Sequence, residues 1–212
     1  MQDTLKQLEK TGIIPVVVLE SARDAEPLAR ALWEGGLPCA EITFRTAAAE
    51  EAIRIMTDKF PDMLVGAGTV LTAGQADRAV QAGAKFIVSP GLNPQVVKHC
   101  LELQIPVIPG VQTPSEMEEA LSFGLNLVKF FPAEPAGGLK MIKAVAAPYT
   151  TLKFIPTGGI NAQNVREYLA YDRVFACGGS WMVAKNLIQD GNFDKIKALV
   201  QEAASLVKEI RG

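Results

Sequence analysis

The sequence predicts an α/β fold, a (β/α)8 TIM barrel that forms a single domain over residues 1–212. Eight short apolar segments recur along the chain, and most are followed by a segment with apolar residues three and four positions apart. Strands that are apolar on both faces and alternate with helices pair in parallel, and eight such units in about 200 residues fit a closed barrel. No linker or change of composition divides the chain, so one domain is expected.

The predicted elements follow in a regular order. Residues 1–10 are polar and helix-like, and they predict a short helix before the first strand. After that strand, Ala25, Leu28, Ala29 and Leu32 have the spacing of one helix face. An open doubly wound sheet is the alternative, but the segment after the first strand lacks the glycine-rich phosphate turn of that fold. The predicted strands are residues 13–19, 39–44, 64–67, 86–88, 105–108, 127–131, 154–155 and 174–177.

The composition argues against several classes of function. The chain carries 21 basic and 23 acidic residues, and its lysines are scattered, so neither nucleic acid nor an anionic membrane surface is an expected partner. The polar start lacks the apolar region of a secretion signal, and no later segment approaches the length of a membrane span. We therefore expect a cytoplasmic protein whose partner is a small-molecule substrate.

The cysteines and the histidine do not suggest a metal site. Cys39, Cys100 and Cys177 are odd in number and far apart, which favours reduced thiols over a disulfide framework or a zinc site. The single histidine, His99, lies in a helix-like stretch and is interpreted as a surface residue. Two carboxylates could still hold magnesium, so metal dependence is disfavoured but not excluded.

Lys129 is the most informative residue of the chain, because it lies in the very apolar segment 125–132. A lysine that loses solvation there is disfavoured as the ammonium and favoured as the free amine, which attacks carbonyl carbons. Schiff-base enzymes use such a desolvated lysine. The alternative is that Lys129 marks the end of a strand and extends its ammonium to water.

The second predicted strand carries polar residues on one face. Period-two alternation places Glu41, Thr43 and Arg45 together and Ile42 and Phe44 opposite them. Glu41 and Arg45 could simply neutralise each other as a buried ion pair. The functional interpretation assigns general acid–base work to Glu41 and bidentate carboxylate recognition to Arg45.

The sixth predicted strand places Leu127, Lys129 and Phe131 on one face, so Lys129 and Glu41 could both project towards the barrel mouth. Carbinolamine dehydration and enamine formation both require a proton shuttle, and one inward glutamate could serve each step. One of Phe130 and Phe131 is expected to fill the core and the other to form a pocket wall.

Glycine pairs follow the last two predicted strands, Gly158-Gly159 and Gly178-Gly179, the second followed by Ser180. Loops at these positions in barrels form phosphate sites from backbone amides and a helix N-terminus. A single glycine pair more often marks a tight turn, but two pairs at both positions favour phosphate binding. Glycines at 66, 68 and 91 permit either close ligand approach or tight packing.

Taken together, these motifs resemble the class I 2-keto-3-deoxy-6-phosphogluconate (KDPG) aldolases, which also act on 4-hydroxy-2-oxoglutarate (KHG). The resemblance runs in order across most of the chain. Its segments are EITFRT at 41–46, GAGTVL at 66–71, SPG at 89–91, IPG at 108–110, VKFFPAE at 128–134, PTGGI at 156–160 and GGSW at 178–181.

The resemblance implies a role for each residue of the site. Lys129 would form the imine with pyruvate, and Glu41 would move protons. The residues that would hold the pyruvate carboxylate are Arg45 and Thr69. Pro90 and Phe131 would form the pocket wall, and Thr157 would lie near the substrate hydroxyls. Those that would receive the phosphate are Gly158, Gly159, Gly179 and Ser180.

The predicted reaction is reversible cleavage of KDPG to pyruvate and glyceraldehyde 3-phosphate, and KHG would give pyruvate and glyoxylate. The resemblance further implies a homotrimer with neither a metal nor an organic cofactor. Two other interpretations remain open at this stage. One is a phosphate-binding barrel isomerase or synthase without imine chemistry, and the other is a barrel that binds phosphometabolites without catalysis.

Overall fold

The computed structural model describes residues 1–212, and its nine strands form two sheets. The larger sheet has the strand order β5-β4-β3-β2-β1-β9, and the smaller has the order β6-β7-β8. Every pair is parallel, as predicted. The strands are β1 Ile13–Val17, β2 Cys39–Thr43, β3 Leu64–Gly68, β4 Ile87–Val88, β5 Val107–Ile108, β6 Gly110–Val111, β7 Leu127–Phe130, β8 Lys153–Pro156 and β9 Cys177–Gly179.

The two sheets meet at both sides. Pro109 alone separates β5 from β6 in the sequence. On the other side, Phe154 pairs with Val174 and Thr157 pairs with Gly178 in isolated parallel bridges. The protein is therefore an α/β fold whose parallel sheet curls into a half-barrel, which confirms the predicted class and strand pairing.

The strand boundaries differ from the prediction where apolarity is a poor guide. The predicted strand 105–108 is shortened to β5, and β6 follows it as an unpredicted strand after Pro109, which has no amide to donate to a ladder. The last strand is Cys177–Gly179 instead of 174–177, because the two glycines that extend it carry no apolar side chain. The second strand ends at Thr43, so Arg45 lies beyond it.

Ten α-helices accompany the strands, and a short helix precedes β1 as predicted. The start of α6 shows how local sequence sets a boundary: Glu116 accepts hydrogen bonds from the Thr113 and Gln112 amides, both 2.8 Å long. Burial raises the pKa of Glu116, but these hydrogen bonds outweigh it and hold the pKa below its ordinary value. The helices are α1 Gln2–Thr11, α2 Ala25–Gly35, α3 Ala49–Lys59, α4 Ala73–Gln81, α5 Pro94–Glu102, α6 Pro114–Ser122, α7 Gly138–Ala146, α8 Val165–Leu169, α9 Lys185–Gln189 and α10 Phe193–Arg211.

The apolar core has two parts. A cluster of 54 buried residues joins the sheets to the surrounding helices. A second cluster of 11 residues includes the first or second residues of several strands, such as Ile14, Cys39, Leu64 and Leu127. Leu8 of α1 is fully buried in this second cluster. The first helix therefore closes the inner side of the curled sheet at the amino ends of the strands.

The carboxyl terminus lies beside the end of α1. Lys10 and Thr11, at the end of α1, line a cavity of about 500 Å³ together with Lys208 and Gly212. Arg211 reaches under the sheet, where its guanidinium donates to the carbonyls of residues 174 and 175 at 2.6 and 2.7 Å. None of the helices combines the length and hydrophobicity that crossing a membrane requires.

The three cysteines are buried free thiols, in agreement with the sequence. Burial raises the pKa of Cys100 to about 11, which disfavours the reactive thiolate. His99 lies in α5, but it is not a simple surface residue: its Nε2 lies 2.7 Å from Asp77 Oδ1, and its side chain is 28% exposed. No group of three or more His, Cys, Asp and Glu residues is arranged to hold a metal ion.

Candidate active site

A buried lysine–glutamate pair forms the centre of the site. Lys129 Nζ lies 3.2 Å from Glu41 Oε1, and the two side chains are 7% and 4% exposed. The predicted meeting of these residues is therefore confirmed. Glu41 forms no ion pair with Arg45, so the structural alternative for that pair is wrong. Lys129 does not extend to water either, because its amine is held inside the sheet by a carboxylate from β2.

Two glycines of β3 make room for side chains that pack against this strand. A methyl carbon added to Gly68 would lie 2.2 Å from Glu41 Oε1, so the carboxyl group occupies the space beside that glycine. The space beside Gly66 is filled by the Phe86 ring, 2.4 Å from where a methyl carbon would stand. Of the two interpretations left open for these glycines, tight packing is the one the structure supports. Gly68 thus admits the Glu41 side chain from the neighbouring strand.

The adjacent phenylalanines divide their roles as expected. Phe130 is fully buried and packs edge-on against Phe154, with the ring centroids 6.5 Å apart. Phe131 is half-buried, and its ring lies 5.2 Å from Lys129 Nζ. Phe130 therefore fills the core and Phe131 forms a wall over the amine. The Phe131 carbonyl accepts a 2.9 Å hydrogen bond from Gln112 Nε2, which fixes the backbone at this point.

Arg45 occupies a different position from the predicted one. It follows β2 in a turn and is exposed, and its Nε donates a 3.3 Å hydrogen bond to Thr69 Oγ1. Thr69 has a φ of 57°, which is uncommon for a residue other than glycine and typical of strained functional positions. The two residues that the family resemblance assigns to one carboxylate therefore lie in contact.

A cavity of about 160 Å³ opens at the carboxyl ends of β1, β8 and β9. Seven of the eleven predicted site residues line it, which are Arg45, Phe131, Thr157, Gly158, Gly159, Gly179 and Ser180. Val16, Val18, Ile160 and Gly178 complete the lining. Pro90 is not part of this lining, but its carbonyl packs against Gly110, which pairs with Lys129 in the sheet. The larger cavities lie at the opposite end of the strands.

Thr157 carries a buried hydroxyl of this cavity that has no hydrogen-bond partner. The residue is 6% exposed, and its Oγ1 has no hydrogen-bond partner in the chain. Its hydroxyl packs against Gly178, where a methyl carbon would lie 2.2 Å from Oγ1. A buried hydroxyl without a partner costs about 1 to 3 kcal/mol, so this group is suited to a ligand that supplies the missing hydrogen bond.

The turn at Gly158 and Gly159 exposes backbone donors to the cavity. Both glycines have positive φ, 97° and 84°, a conformation that side chains rarely adopt. The carbonyls of Thr157 and Gly158 accept hydrogen bonds from the Ala133 and Glu134 amides, at 2.8 and 3.0 Å. The amides of Gly158 and Gly159 donate to no acceptor of the chain. Successive free amides in such a turn form an anion-binding concavity.

The second glycine pair differs in detail from the prediction. Ser180 is exposed and precedes a single turn of 3-10 helix, Trp181–Val183, instead of a full α-helix. The expected helix N-terminus is therefore absent, and only backbone amides and the Ser180 hydroxyl remain as donors. The Gly179 position admits no side chain, because the Trp181 ring lies 1.9 Å from where a methyl carbon would stand.

Sequence reasoning missed two residues beside the first glycine pair. Asn161 and Asn164 both donate from Nδ2 to the Gly159 carbonyl, at 3.2 and 3.0 Å. The only available signal is an asparagine pair three positions apart directly after PTGGI. Because an asparagine before a helix normally indicates an N-cap, the sequence did not indicate that these side chains donate to the Gly159 carbonyl.

The comparison with known families decides the assignment. Residues 4–199 match the family model described as KDPG and KHG aldolase. The chain belongs to this family. The resemblance seen in the sequence is thereby confirmed for a span that contains every predicted site residue.

Individual members of the KDPG and KHG aldolase family match closely. The chain is 54% identical over 200 residues to the 2-dehydro-3-deoxy-phosphogluconate aldolase of Treponema pallidum, covering 94% of this chain and 95% of the relative. It is 42% identical to the KDPG aldolase of Legionella pneumophila, solved with pyruvate as a covalent carbinolamine, with a TM-score of 0.90 and coverage of 93% and 96%. The KDPG aldolase of Zymomonas mobilis, solved with 3-phosphoglycerate, is 40% identical, with a TM-score of 0.91 and coverage of 97% of both chains.

Proposed function

We propose that this protein is a class I aldolase that cleaves KDPG reversibly to pyruvate and glyceraldehyde 3-phosphate, and KHG to pyruvate and glyoxylate. One observation carries the proposal: a buried lysine amine lies 3.2 Å from a buried carboxylate, and the Phe131 ring beside that amine also lines a cavity with free backbone amides. The carbinolamine in the Legionella enzyme supports it, because a carbinolamine is the adduct of an amine and a carbonyl carbon.

The reaction begins with attack of Lys129 Nζ on the C2 carbonyl of the substrate. The amine must first lose a proton, and Glu41 Oε1 is near enough to accept it. Return of that proton to the carbinolamine oxygen releases water and leaves a protonated imine. Its low-dielectric surroundings, with the Phe131 ring on one side, keep bulk water from the intermediate.

Bond cleavage uses the imine as an electron sink. Glu41, through a water molecule, removes the C4 hydroxyl proton, and the electrons of the C3–C4 bond flow into the iminium group to form a neutral enamine. Glyceraldehyde 3-phosphate leaves. Glu41 then returns a proton to C3, and hydrolysis of the imine frees pyruvate and Lys129. Because the imine accepts the electrons, this sequence needs neither a metal nor an organic cofactor.

The substrate would be held at both ends. The Arg45 guanidinium and the Thr69 hydroxyl, already in contact, would bind the carboxylate. The Thr157 hydroxyl, which lacks a partner, would bind a substrate hydroxyl. At the other end, the free amides of Gly158 and Gly159 and the Gly179-Ser180 segment would bind the phosphate. The 3-phosphoglycerate bound to the Zymomonas enzyme supports a phosphate site in this family. Pro90 would support the pocket wall from β4.

Three further proposals concern architecture and context. The continuity of the two sheets around Pro109 and the bridges on the opposite side support a closed (β/α)8 barrel in a single domain. A homotrimer in the cytoplasm is proposed from the family resemblance. Size-exclusion chromatography with light scattering tests the trimer, and a mass equal to that of one chain would rule it out.

Borohydride reduction in the presence of pyruvate tests the imine. We expect one adduct per chain, with peptide mapping to Lys129. Lys129→Arg keeps the charge but removes the nucleophilic amine, so labelling and turnover should both disappear. Lys153→Arg is the matched control, because Lys153 is 43% exposed and already paired with Glu9. Labelling at Lys153 would overturn the assignment of the imine to Lys129. No labelling in the folded wild type would instead support an enzyme without imine chemistry.

A further inference from the structure

The turn between β8 and α8 holds its backbone in one orientation through three consecutive carbonyls. The Thr157 and Gly158 carbonyls accept from backbone amides, and the Gly159 carbonyl accepts from two asparagine side chains. In a trans peptide, the carbonyl and the following amide point in opposite directions. Each fixed carbonyl therefore also fixes the next amide, on the opposite edge of its peptide plane.

The third of these peptides presents an amide that is not among the predicted phosphate-binding groups. Ile160 follows Gly159, its side chain is buried, and its amide donates to no acceptor of the chain. Ile160 also lines the cavity that contains Gly158 and Gly159. The turn therefore offers three successive free amides, of which the last is oriented only by Asn161 and Asn164.

Asn161 and Asn164 form a hydrogen-bonded network around the Gly159 carbonyl. Asn164 stands at the N-cap position of α8, yet its side chain makes no capping hydrogen bond. Its Oδ1 instead accepts from the Asn161 amide at 2.9 Å while its Nδ2 donates to Gly159. Asn161 in turn accepts from the Gln163 amide at 2.9 Å and donates to the same carbonyl. Two donors on one carbonyl hold its peptide plane more firmly than one.

We propose that Asn161 and Asn164 are positioning residues that orient the Gly159–Ile160 peptide, so that the Ile160 amide becomes a third backbone donor to the substrate phosphate. This inference rests on the proposed phosphate site and deepens it. The same cavity contains the buried, unpartnered hydroxyl of Thr157, which independently indicates that a polar ligand completes it.

Asparagine-to-aspartate variants test the donors selectively. Asn161→Asp and Asn164→Asp keep Oδ1, and so the hydrogen bonds to the local amides, but lose the Nδ2 donors to Gly159. Gln163→Glu is the matched control, because it adds the same charge on an exposed neighbour whose side chain makes no hydrogen bond to Gly159. KM and kcat are measured for KDPG and for KHG, which has no phosphate, together with inhibition by inorganic phosphate.

We expect each aspartate variant to raise KM for KDPG and the inhibition constant of phosphate by about three- to tenfold, the effect of losing one well-oriented donor. KM for KHG, kcat for both substrates and pyruvate trapping should stay near wild type, and Gln163→Glu should change none of them. Equal changes for both substrates, or an equal effect of Gln163→Glu, would overturn the inference. If phosphate does not inhibit the wild type, the phosphate site itself is wrong and this inference falls with it, whereas the imine remains testable by trapping.

Discussion

Gly68→Ala offers a test of the proposed catalytic centre that leaves Lys129 and Glu41 in place. The added methyl carbon would lie 2.2 Å from Glu41 Oε1 and 2.6 Å from Glu41 Cγ, whereas ordinary contact begins at 3.4 Å. The carboxyl oxygen must therefore retreat by about 1.2 Å, the difference between 3.4 and 2.2 Å. Lys129 Nζ now lies 3.2 Å from that oxygen, so a retreat away from the lysine would break the hydrogen bond.

A displacement of about 1 Å in a catalytic group can lower kcat by roughly 10²-fold. We expect a loss of this size for KDPG and for KHG alike, because Glu41 serves the pyruvate half that both substrates share. The assay is steady-state cleavage coupled to detection of pyruvate, with thermal unfolding as the check on folding. Gly68 has an ordinary φ, so alanine itself introduces no backbone strain.

Gly74→Ala is the matched control for this experiment. Gly74 is exposed in α4, and a methyl carbon there would meet nothing within 4 Å. Alanine is favoured over glycine in a helix by about 1 kcal/mol, so this variant should be slightly more stable and fully active. A folded Gly68→Ala enzyme that retains the wild-type kcat would refute the assignment of Glu41 as the proton shuttle at its observed position.

Three further predictions follow from individual contacts. Glu41→Gln keeps the side-chain shape but removes the titrating group, so kcat should fall by about 10²- to 10⁴-fold, while borohydride trapping is only slowed. A variant that loses stability but keeps a normal kcat would remove Glu41 from the mechanism. Ser180→Ala should lower kcat/KM for KDPG by the equivalent of about 1.5 to 3 kcal/mol and leave kcat/KM for KHG unchanged. Equal losses for both substrates would mean that this loop does not bind phosphate. Glu116→Gln removes the capping carboxylate of α6 and should cost about 1 kcal/mol in chemical denaturation at neutral pH. Because the folded state lowers the Glu116 pKa, that difference should disappear as the pH falls through the lowered value, and a difference that persists in acid would contradict the assignment.

The central pair was predictable because strand periodicity is a local property. Lys129 and Glu41 each lie on a short strand whose alternation fixes one face, and parallel strands bring their carboxyl ends to the same edge. Arg45 was misplaced because the same alternation was continued past Thr43, where the chain turns and Arg45 bonds to Thr69 instead. Periodicity indicates which face a residue takes, but it does not indicate where the strand ends.

Contacts between distant strands could not be predicted in this way. The sequence leaves Gly66 and Gly68 equivalent, and only the folded chain shows that one faces a phenylalanine ring and the other the Glu41 carboxyl group. The orientation of the Ile160 amide likewise depends on asparagine side chains, whose choice between capping a helix and holding a turn is decided by tertiary structure. Such positions require coordinates because glycine and asparagine each fit several backbone environments.

Both chain ends lie on the side of the amino ends of the strands, which has a practical consequence for protein engineering. The end of α1 and the last turn of α10 line one cavity at the amino ends of the strands, whereas the candidate active site opens at their carboxyl ends. A reporter or scaffold fused at either terminus would therefore extend away from the substrate entrance. Arg211 sets the boundary for such fusions, since its guanidinium satisfies backbone carbonyls beneath β9 and should be retained when a linker is attached.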